Sequence, residues 1–302
     1  MTLPQLKLYI WKGDYGLPSF CPECTFVMTY VKITNAPVVC EWESNPYRHG
    51  TATLPIIRQG ELYIFTVNLM LGYLRSRRYE DETELSRRLS SHLHAFVQFV
   101  EYMLKPVIEY IYWVDEKNYN EVTRPWFTKI MMFPSNLLFT RVRRFKARHL
   151  LELRFGDLDS TEFLEVQVLV IADDCFTSLK GRLGGSDYFY GSSPTVLDAL
   201  MYAYLSPILK VPFPNDRVTL LLKNYTELVD YVERMDRDYF PTLQYREKQS
   251  NKSAEHKTTP LLGTVKVATF TCVVCAVIMY CYKNDVVNLS KIHSVLDFLH
   301  HR

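Results

Sequence analysis

Two cysteines separated by two residues, Cys21 and Cys24, are the strongest candidates for chemistry in this sequence. They lie at the predicted start of a helix, where the helix dipole lowers the pKa of the first thiol and stabilises its reactive thiolate form. A strand that leads into such a helix is typical of thiol-dependent redox proteins and transferases. The alternative is a pair of inert thiols in an ordinary helix.

Two neighbouring segments argue against a working thiol site. Glutathione sites of this kind normally carry an acidic residue and a serine after the fourth strand, whereas the corresponding stretch here is Ile64-Phe65-Thr66. Thr66 keeps a hydroxyl, but Phe65 stands where the acid is needed. The loop of residues 13–19 is longer than a tight turn, which places Cys21 within the first helical turn. We therefore predict no enzymatic activity and no cofactor, with a glutathione transferase or reductase that uses Cys21 as the alternative.

The segments that would position the cysteines alternate between strand and helix patterns. Apolar residues in period-two alternation predict strands, and a spacing of three or four predicts helices. The predicted elements are a strand at 6–11, a helix at 19–33, a strand at 38–42, a hairpin around Gln59-Gly60 and a helix at 66–77. This order predicts a thioredoxin-like module over residues 1–78, in which Leu54-Pro55 adopts the cis form that is accessible almost only to X-Pro bonds.

Long helices replace the strands after residue 78. Apolar spacing predicts helices over 85–111 with a kink at Pro106, over 164–183 with a stop at Gly184-Gly185, and over 218–237. Another helix begins at Thr195, whose hydroxyl and the Asp198 carboxylate predict a reciprocal N-terminal cap instead of an acid site. The second domain is therefore predicted to be all-α over residues 79–244, which makes the fold class α+β.

The C-terminal part of the chain has a different composition. Residues 245–260 are polar without apolar periodicity and predict an unfolded tether. In residues 261–282 Lys266 is the one charge, and roughly 22 helical residues span about 33 Å, enough for a bilayer core. This segment predicts a transmembrane anchor followed by a short tail at 283–302, with a buried core helix as the alternative. Modest hydrophobicity and flanking lysines favour the mitochondrial outer membrane.

Composition restricts the remaining classes of function. The formal net charge of +2 gives no basis for binding nucleic acid, which usually needs a strongly basic domain. Seven cysteines without even spacing do not suggest the disulfide framework of a small secreted protein, and eight histidines show no metal-ligand spacing. The N-terminus lacks the pattern of a secretory or matrix-targeting signal.

The densest cluster of charge contains five cations. They are Arg141, Arg143, Arg144, Lys146 and Arg148. Such a run on a helix is either a solvated face or a surface that meets anionic lipid headgroups.

Several segments together resemble the metaxin family. They are Gly16-Leu-Pro-Ser19 after a tryptophan-containing strand, residues 113–126, Phe133-Pro134, and Phe189-Tyr190-Gly191 leading into Pro194-Thr195-Val-Leu-Asp198. The resemblance extends from about Leu6 to Pro241 and is most specific over residues 113–126. With the predicted anchor, it is greatest to the tail-anchored members of the family.

The resemblance implies a glutathione-transferase-like fold without established transferase activity. It implies a place in the mitochondrial outer membrane with the body facing the cytosol, and a role in protein import and β-barrel assembly with the sorting and assembly machinery. The implied partners are a second metaxin, precursor proteins and outer-membrane lipid. An adaptor that couples mitochondria to transport machinery is a further alternative. The resemblance assigns no function to Cys21 or Cys24.

Residues 113–126 also supply candidates for partner binding. Tyrosine, tryptophan and arginine are over-represented at interface hot spots, and this stretch contains Tyr119, Arg124 and Trp126. Tyr119 and Arg124 follow a predicted helix in a polar context and are therefore expected at the surface. Trp113 continues the apolar spacing of that helix and is expected in the core.

Overall fold

The computed structural model describes residues 4–51, 53–77, 84–132, 135–156 and 161–243. Four strands form one sheet in this part of the chain: β1 (Leu6–Ile10), β2 (Val38–Trp42), β3 (Ile56–Gln59) and β4 (Leu62–Ile64). The strand order is β2-β1-β3-β4, with β1 parallel to β2 and antiparallel to β3, and with β3 antiparallel to β4. Helix α1 (Pro22–Ile33) lies between β1 and β2 in the chain, and α2 (Val67–Ser76) follows β4.

This N-terminal part has the predicted element order of a thioredoxin-like module. Leu8 and Ile57 pair across β1 and β3, and both side chains are buried in the core. The Leu54-Pro55 bond is cis, as predicted. The first helix begins at Pro22, later than the predicted residue 19, because Cys21 has extended dihedral angles and proline is well suited to the first helical position.

The rest of the described chain is helical apart from its loops. The helices are α3 (Glu84–Glu109), α4 (Glu116–Asn118), α5 (Arg124–Ile130), α6 (Ser135–Phe155), α7 (Thr161–Leu183), α8 (Val196–Lys210), α9 (Arg217–Lys223) and α10 (Thr226–Tyr239). Helix α3 continues past Pro106, as predicted, and two π-helical segments follow it, Tyr110–Val114 and Tyr119–Thr123. Helix α7 stops as predicted at Gly184 and Gly185, which have φ angles of 54° and 82°.

Helix α8 connects the sheet part with the helical part. Its residues from Val196 to Ile208 are buried. It packs against α1 from the N-terminal part and against α3 and α10 from the helical part. A helix that is apolar on all sides belongs in the interior of a protein. The buried hydrophobic residues of both parts accordingly form one continuous cluster.

One predicted helix is divided into two. Asn224 and Tyr225 separate α9 from α10, where the sequence predicts a continuous helix over 218–237. The Tyr225 hydroxyl donates to Asp173 Oδ1 on α7 at 2.6 Å and lies 2.9 Å from the Thr177 hydroxyl. These contacts attach the segment between α9 and α10 to α7. The prediction of one helix is wrong because apolar spacing that continues on both sides of a short break does not reveal the break.

The predicted tether at 245–260, anchor at 261–282 and tail at 283–302 lie outside the described residues. Among the helices of the described ranges, none combines the length and the apolar character that a membrane span requires. The anchor therefore remains a prediction from the sequence.

Candidate functional site

A cavity of about 360 Å³ is lined by residues of the sheet part and of the helical part. Cys21 and Glu23 from the start of α1 contribute to its wall, as do Pro55 before β3, Lys105 of α3 and Arg143 of α6. The apolar wall includes Trp11, Phe20, Phe26, Tyr112, Trp113, Phe127, Phe139, Leu200 and Tyr204. An apolar cavity with a few polar groups has the usual character of a small-molecule site.

Cys21 is the residue immediately before α1. It has extended backbone dihedral angles as the N-cap residue, and Pro22 is the first helical residue. The preceding loop contains a turn in which the Leu17 N–H donates to the Asp14 carbonyl at 2.9 Å. The long loop therefore places Cys21 at the helix start, and the prediction that Cys21 falls within the first helical turn is wrong.

The contacts of Cys21 favour the protonated thiol. Its Sγ donates to Glu23 Oε2 at 3.0 Å. Hydrogen bonding to Cys24, burial and the negative charge of Glu23 together raise the pKa of the Cys21 thiol well above its usual value. A helix N-terminus alone would lower this pKa, so the local contacts outweigh the helix dipole. At neutral pH the thiol is protonated and is a poor nucleophile.

Glu23 belongs to a charge network that connects three helices. The Arg143 guanidinium lies 3.2 Å from Glu109 Oε1 and 4.0 Å from Glu23 Oε1. Burial raises the pKa of Glu109 in spite of Arg143. Burial would also raise the pKa of Glu23, but Arg143 and the Cys21 thiol lower it overall. Burial would lower the pKa of Arg143, but the two carboxylates raise it, so the guanidinium stays charged between them.

The sequence places Arg143 in a cluster expected either on a solvated face or at a membrane surface. Both expectations are wrong for Arg143, because its side chain lines the cavity. Phe139 and Ala147, four residues before and after it, are buried, as is Leu151. Arg143 therefore lies on the inner face of α6. The apolar spacing that indicates this face is present in the sequence but is interrupted by the surrounding cations.

The other four cations of the cluster differ in environment. Arg141, Lys146 and Arg148 are exposed. Arg144 is half-buried, with its guanidinium carbon 4.3 Å from the centroid of the Tyr119 ring. Three of the five predicted membrane-surface residues are thus freely accessible on α6.

Phe65 and Thr66 line the cavity where α2 begins. Phe65 is half-exposed, and its ring stacks on Tyr63 with a centroid distance of 6.1 Å. Thr66 is the N-cap residue of α2 but its side chain makes no capping hydrogen bond. At this end of the cavity an aromatic ring therefore occupies the position where a glutathione site needs an acid.

The candidates for partner binding divide between core and surface. Tyr119 and Trp126 are each only 4% exposed, whereas Arg124 is exposed. The expectation that Tyr119 lies at the surface is wrong, because the π-helical turn that contains it directs its ring toward Trp113. Trp126 is held in place by its Nε1, which donates to Asp14 Oδ2 at 3.0 Å. Trp113 is buried, as predicted.

Asp198 is fully buried at the start of α8. Its Oδ2 accepts from the Thr195 N–H at 2.7 Å and from the Thr195 hydroxyl at 2.9 Å. Its Oδ1 accepts from the Phe189 N–H at 3.1 Å and from the Tyr231 hydroxyl at 3.3 Å. Burial raises the pKa of Asp198 against the effect of these hydrogen bonds. Oδ2 therefore binds the residue just before α8, and Oδ1 connects α8 to the preceding loop and to α10.

Comparison with solved structures shows the fold. Glutathione transferase GSTFuA3 from Phanerochaete chrysosporium has a TM-score of 0.54 at 15% identity, over 79% of this chain and 99% of that chain. The glutathione S-transferase CsGST63524 of Ceriporiopsis subvermispora, solved with glutathione, has a TM-score of 0.54 at 12% identity, over 78% and 97%. A profile of the glutathione S-transferase C-terminal domain matches residues 172–235. The chain therefore has a glutathione-transferase-like fold.

Sequence relatives define the family. Metaxin-1 from Macaca fascicularis is 33% identical over 239 residues, which cover 78% of this chain and 75% of that protein. Metaxin-3 from Danio rerio is 29% identical over 244 residues, which cover 78% of this chain and 76% of that protein. The profile of the Tom37 family, described as outer mitochondrial membrane transport complex protein, matches residues 24–144. The chain belongs to the metaxin family.

Proposed function

We propose that this chain is a non-enzymatic component of a protein-transport complex in the mitochondrial outer membrane. Its membership of the metaxin family and the match of residues 24–144 to an outer mitochondrial membrane transport profile support this assignment. The structural observation that supports the non-enzymatic part of the proposal is the contact between Cys21 Sγ and Glu23 Oε2 at 3.0 Å. Thiol chemistry in the cavity needs a thiolate, and this contact opposes its formation.

Conjugation of glutathione to chlorodinitrobenzene tests the absence of enzymatic activity. We expect the full-length chain to give no turnover above the uncatalysed reaction, under conditions in which an active glutathione transferase is readily measured. The alternative function is a thiol-dependent transferase or reductase, which the position of Cys21 at a helix start in an apolar cavity favours. Turnover that disappears in Cys21→Ser would establish that alternative.

Residues 261–282 are proposed to anchor the protein in the outer membrane, with the body on the cytosolic side. Deleting all residues after Pro260 should move the protein from the carbonate-resistant membrane pellet to the supernatant. Val273→Arg with Val274→Arg should do the same, because each charge costs about 2.5 to 3.5 kcal/mol on insertion scales. The matched control, Val273→Leu with Val274→Leu, should stay in the pellet. A truncated protein that also stays there would place the main attachment elsewhere.

The proposed role within the complex is the import of precursor proteins and the assembly of β-barrels. The proposed partners are a second metaxin and the sorting and assembly machinery. Affinity purification of the full-length chain from gently solubilised mitochondria should recover both. Recovery of organelle-transport proteins without the assembly machinery would favour the remaining alternative, an adaptor that couples mitochondria to transport machinery.

A further inference from the structure

The outer face of α6 carries a stripe of exposed apolar side chains. Leu138, Val142, Phe145 and Leu153 are 60%, 41%, 72% and 77% exposed. Their spacing places them on one side of the helix, and we call these four residues the α6 ridge. His149 fills the gap before Leu153, since its ring stacks on Phe145 with a centroid distance of 6.4 Å. An exposed apolar patch of this kind indicates an interaction site.

Good packing on the opposite side of α6 shows that the ridge is not exposed through a defect in the core. Phe139 packs against Trp11 and Phe127, with centroid distances of 5.4 and 5.0 Å. Ala147 and Leu151 are almost completely buried. The inner face of α6 is therefore packed against the core, and the ridge lies on the opposite, exposed face of the same helix.

Exposed cations flank the α6 ridge. At 100° per residue, Arg141 and Arg148 lie along one side of it and Lys146 lies along the other. The one acidic residue in the sequence of α6 is Glu152, whose Oε2 is 3.7 Å from His149 Nδ1. The face thus combines an apolar centre with a basic border. This pattern is typical of a helix that lies in a membrane interface.

We propose that the α6 ridge lies against the anionic headgroups of a membrane, with its apolar side chains at the acyl boundary. The cations would meet lipid phosphates, while their aliphatic stems extend the apolar contact. The competing occupant is a partner protein with an acidic, apolar surface. We favour lipid because the chain between Leu243 and residue 261 extends at most about 65 Å, which keeps the body close to the proposed anchor. This choice of lipid over a partner protein rests on the proposed outer-membrane location.

Quenching by brominated lipid measures whether the ridge touches the bilayer. The full-length Phe145→Trp variant is mixed with phosphatidylcholine vesicles that contain brominated acyl chains, with or without phosphatidylserine. Vesicle flotation is recorded in parallel, and the parent protein gives the signal of the native tryptophans. We expect additional quenching in the variant, stronger with phosphatidylserine. Leu220→Trp on α9, where the native leucine is 52% exposed, is the matched control and should show none.

Charge reversal tests the basic border. Introducing Arg141→Glu, Lys146→Glu and Arg148→Glu into the Phe145→Trp variant should abolish the additional quenching. Each basic residue near an anionic surface contributes about 1 kcal/mol to binding, which is about a fivefold change in the ratio of membrane-bound to unbound ridge. Three charge reversals should therefore lower this ratio by at least about a hundredfold. Each side chain is exposed, so the fold should be retained.

The combined readouts separate the ridge from the anchor. Flotation without additional quenching overturns the ridge proposal, leaves the anchor intact and points to a protein partner. Additional quenching that does not depend on phosphatidylserine overturns the anionic specificity. Flotation and quenching only with phosphatidylserine support the ridge and contradict the anchor. Failure to float with either vesicle contradicts both.

Discussion

Replacing Arg143 with methionine distinguishes a buried charge from a surface charge. Methionine keeps an unbranched side chain but removes the guanidinium that lies 3.2 Å from Glu109 and 4.0 Å from Glu23. The Glu109 side chain is only 7% exposed, whereas that of Glu23 is 37% exposed. Because water can solvate Glu23, most of the cost of the substitution should come from Glu109.

The magnitude follows from the loss of one partner in a buried ion pair. Such a loss typically costs about 3 to 5 kcal/mol. The Arg143 side chain is itself 24% exposed, so we expect a smaller cost, about 2 to 3 kcal/mol. For a body of this size each kcal/mol lowers Tm by about 2 to 4 °C. The Tm of Arg143→Met should therefore fall by about 4 to 12 °C.

The loss of stability caused by Arg143→Met should be larger near neutral pH than in acid. Burial raises the pKa of Glu109 in the folded protein, and removing Arg143 raises it further. A carboxyl group whose folded-state pKa is raised binds its proton more tightly in the folded than in the unfolded state. Its protonation therefore stabilises the fold as the pH falls through that raised pKa toward the unfolded value. The deficit of the variant should be largest near neutral pH and should shrink in acid.

Thermal unfolding followed by circular dichroism, at about pH 7 and at about pH 5, measures both effects. Arg141→Met is the matched control, because Arg141 is an exposed cation on the same helix and its loss should change stability by no more than about 0.5 kcal/mol. Equal melting temperatures for the Arg143 and Arg141 variants would refute the buried-network interpretation. A deficit that does not change with pH would refute the role of Glu109.

Three further substitutions test other parts of the structure. Asp198→Ala removes the helix cap and leaves buried donors without an acceptor. It should lower the free energy of unfolding, measured by urea denaturation, by about 2 to 4 kcal/mol. A loss below about 0.5 kcal/mol would contradict the structural role. Tyr119→Ala should cost about 3 to 5 kcal/mol, whereas Arg124→Ala should cost less than about 0.5 kcal/mol, so only the latter can report on partner recovery. Glu23→Gln should lower the pKa of the Cys21 thiol and increase the rate of its alkylation at neutral pH by about 3- to 30-fold. Mass spectrometry measures this rate, and an unchanged rate would contradict the proposed effect of the carboxylate.

Regular patterns made much of the fold predictable from the sequence. The alternating apolar residues of β1 predicted that strand, and Gly184 with Gly185 predicted the end of α7. The cis form of the Leu54-Pro55 bond was predicted from the thioredoxin-like order of the elements, because X-Pro bonds are mostly trans. For the strand and the helix end one local preference was sufficient, because it did not compete with contacts from distant parts of the chain.

Tyr119 and Arg143 show why the site was only partly predictable. The π-helical segments after α3 have a longer repeat than an α-helix, so the apolar spacing of α3 could not be extended to Tyr119. The charge of Arg143 is compensated by Glu23 and Glu109, which are distant in sequence. The helix dipole predicts a reactive thiolate at Cys21, whereas the contact with Glu23, only two residues further along the chain, favours the protonated thiol.

Import of a radiolabelled β-barrel precursor into mitochondria that lack this chain tests the central claim most directly. The missing protein is replaced either by the wild type or by Cys21→Ser with Cys24→Ser. Import and assembly should fall without the chain, and both forms should restore them equally. Normal import without the chain would contradict the transport role. Restoration by the wild type but not by the serine variant would contradict a non-enzymatic function.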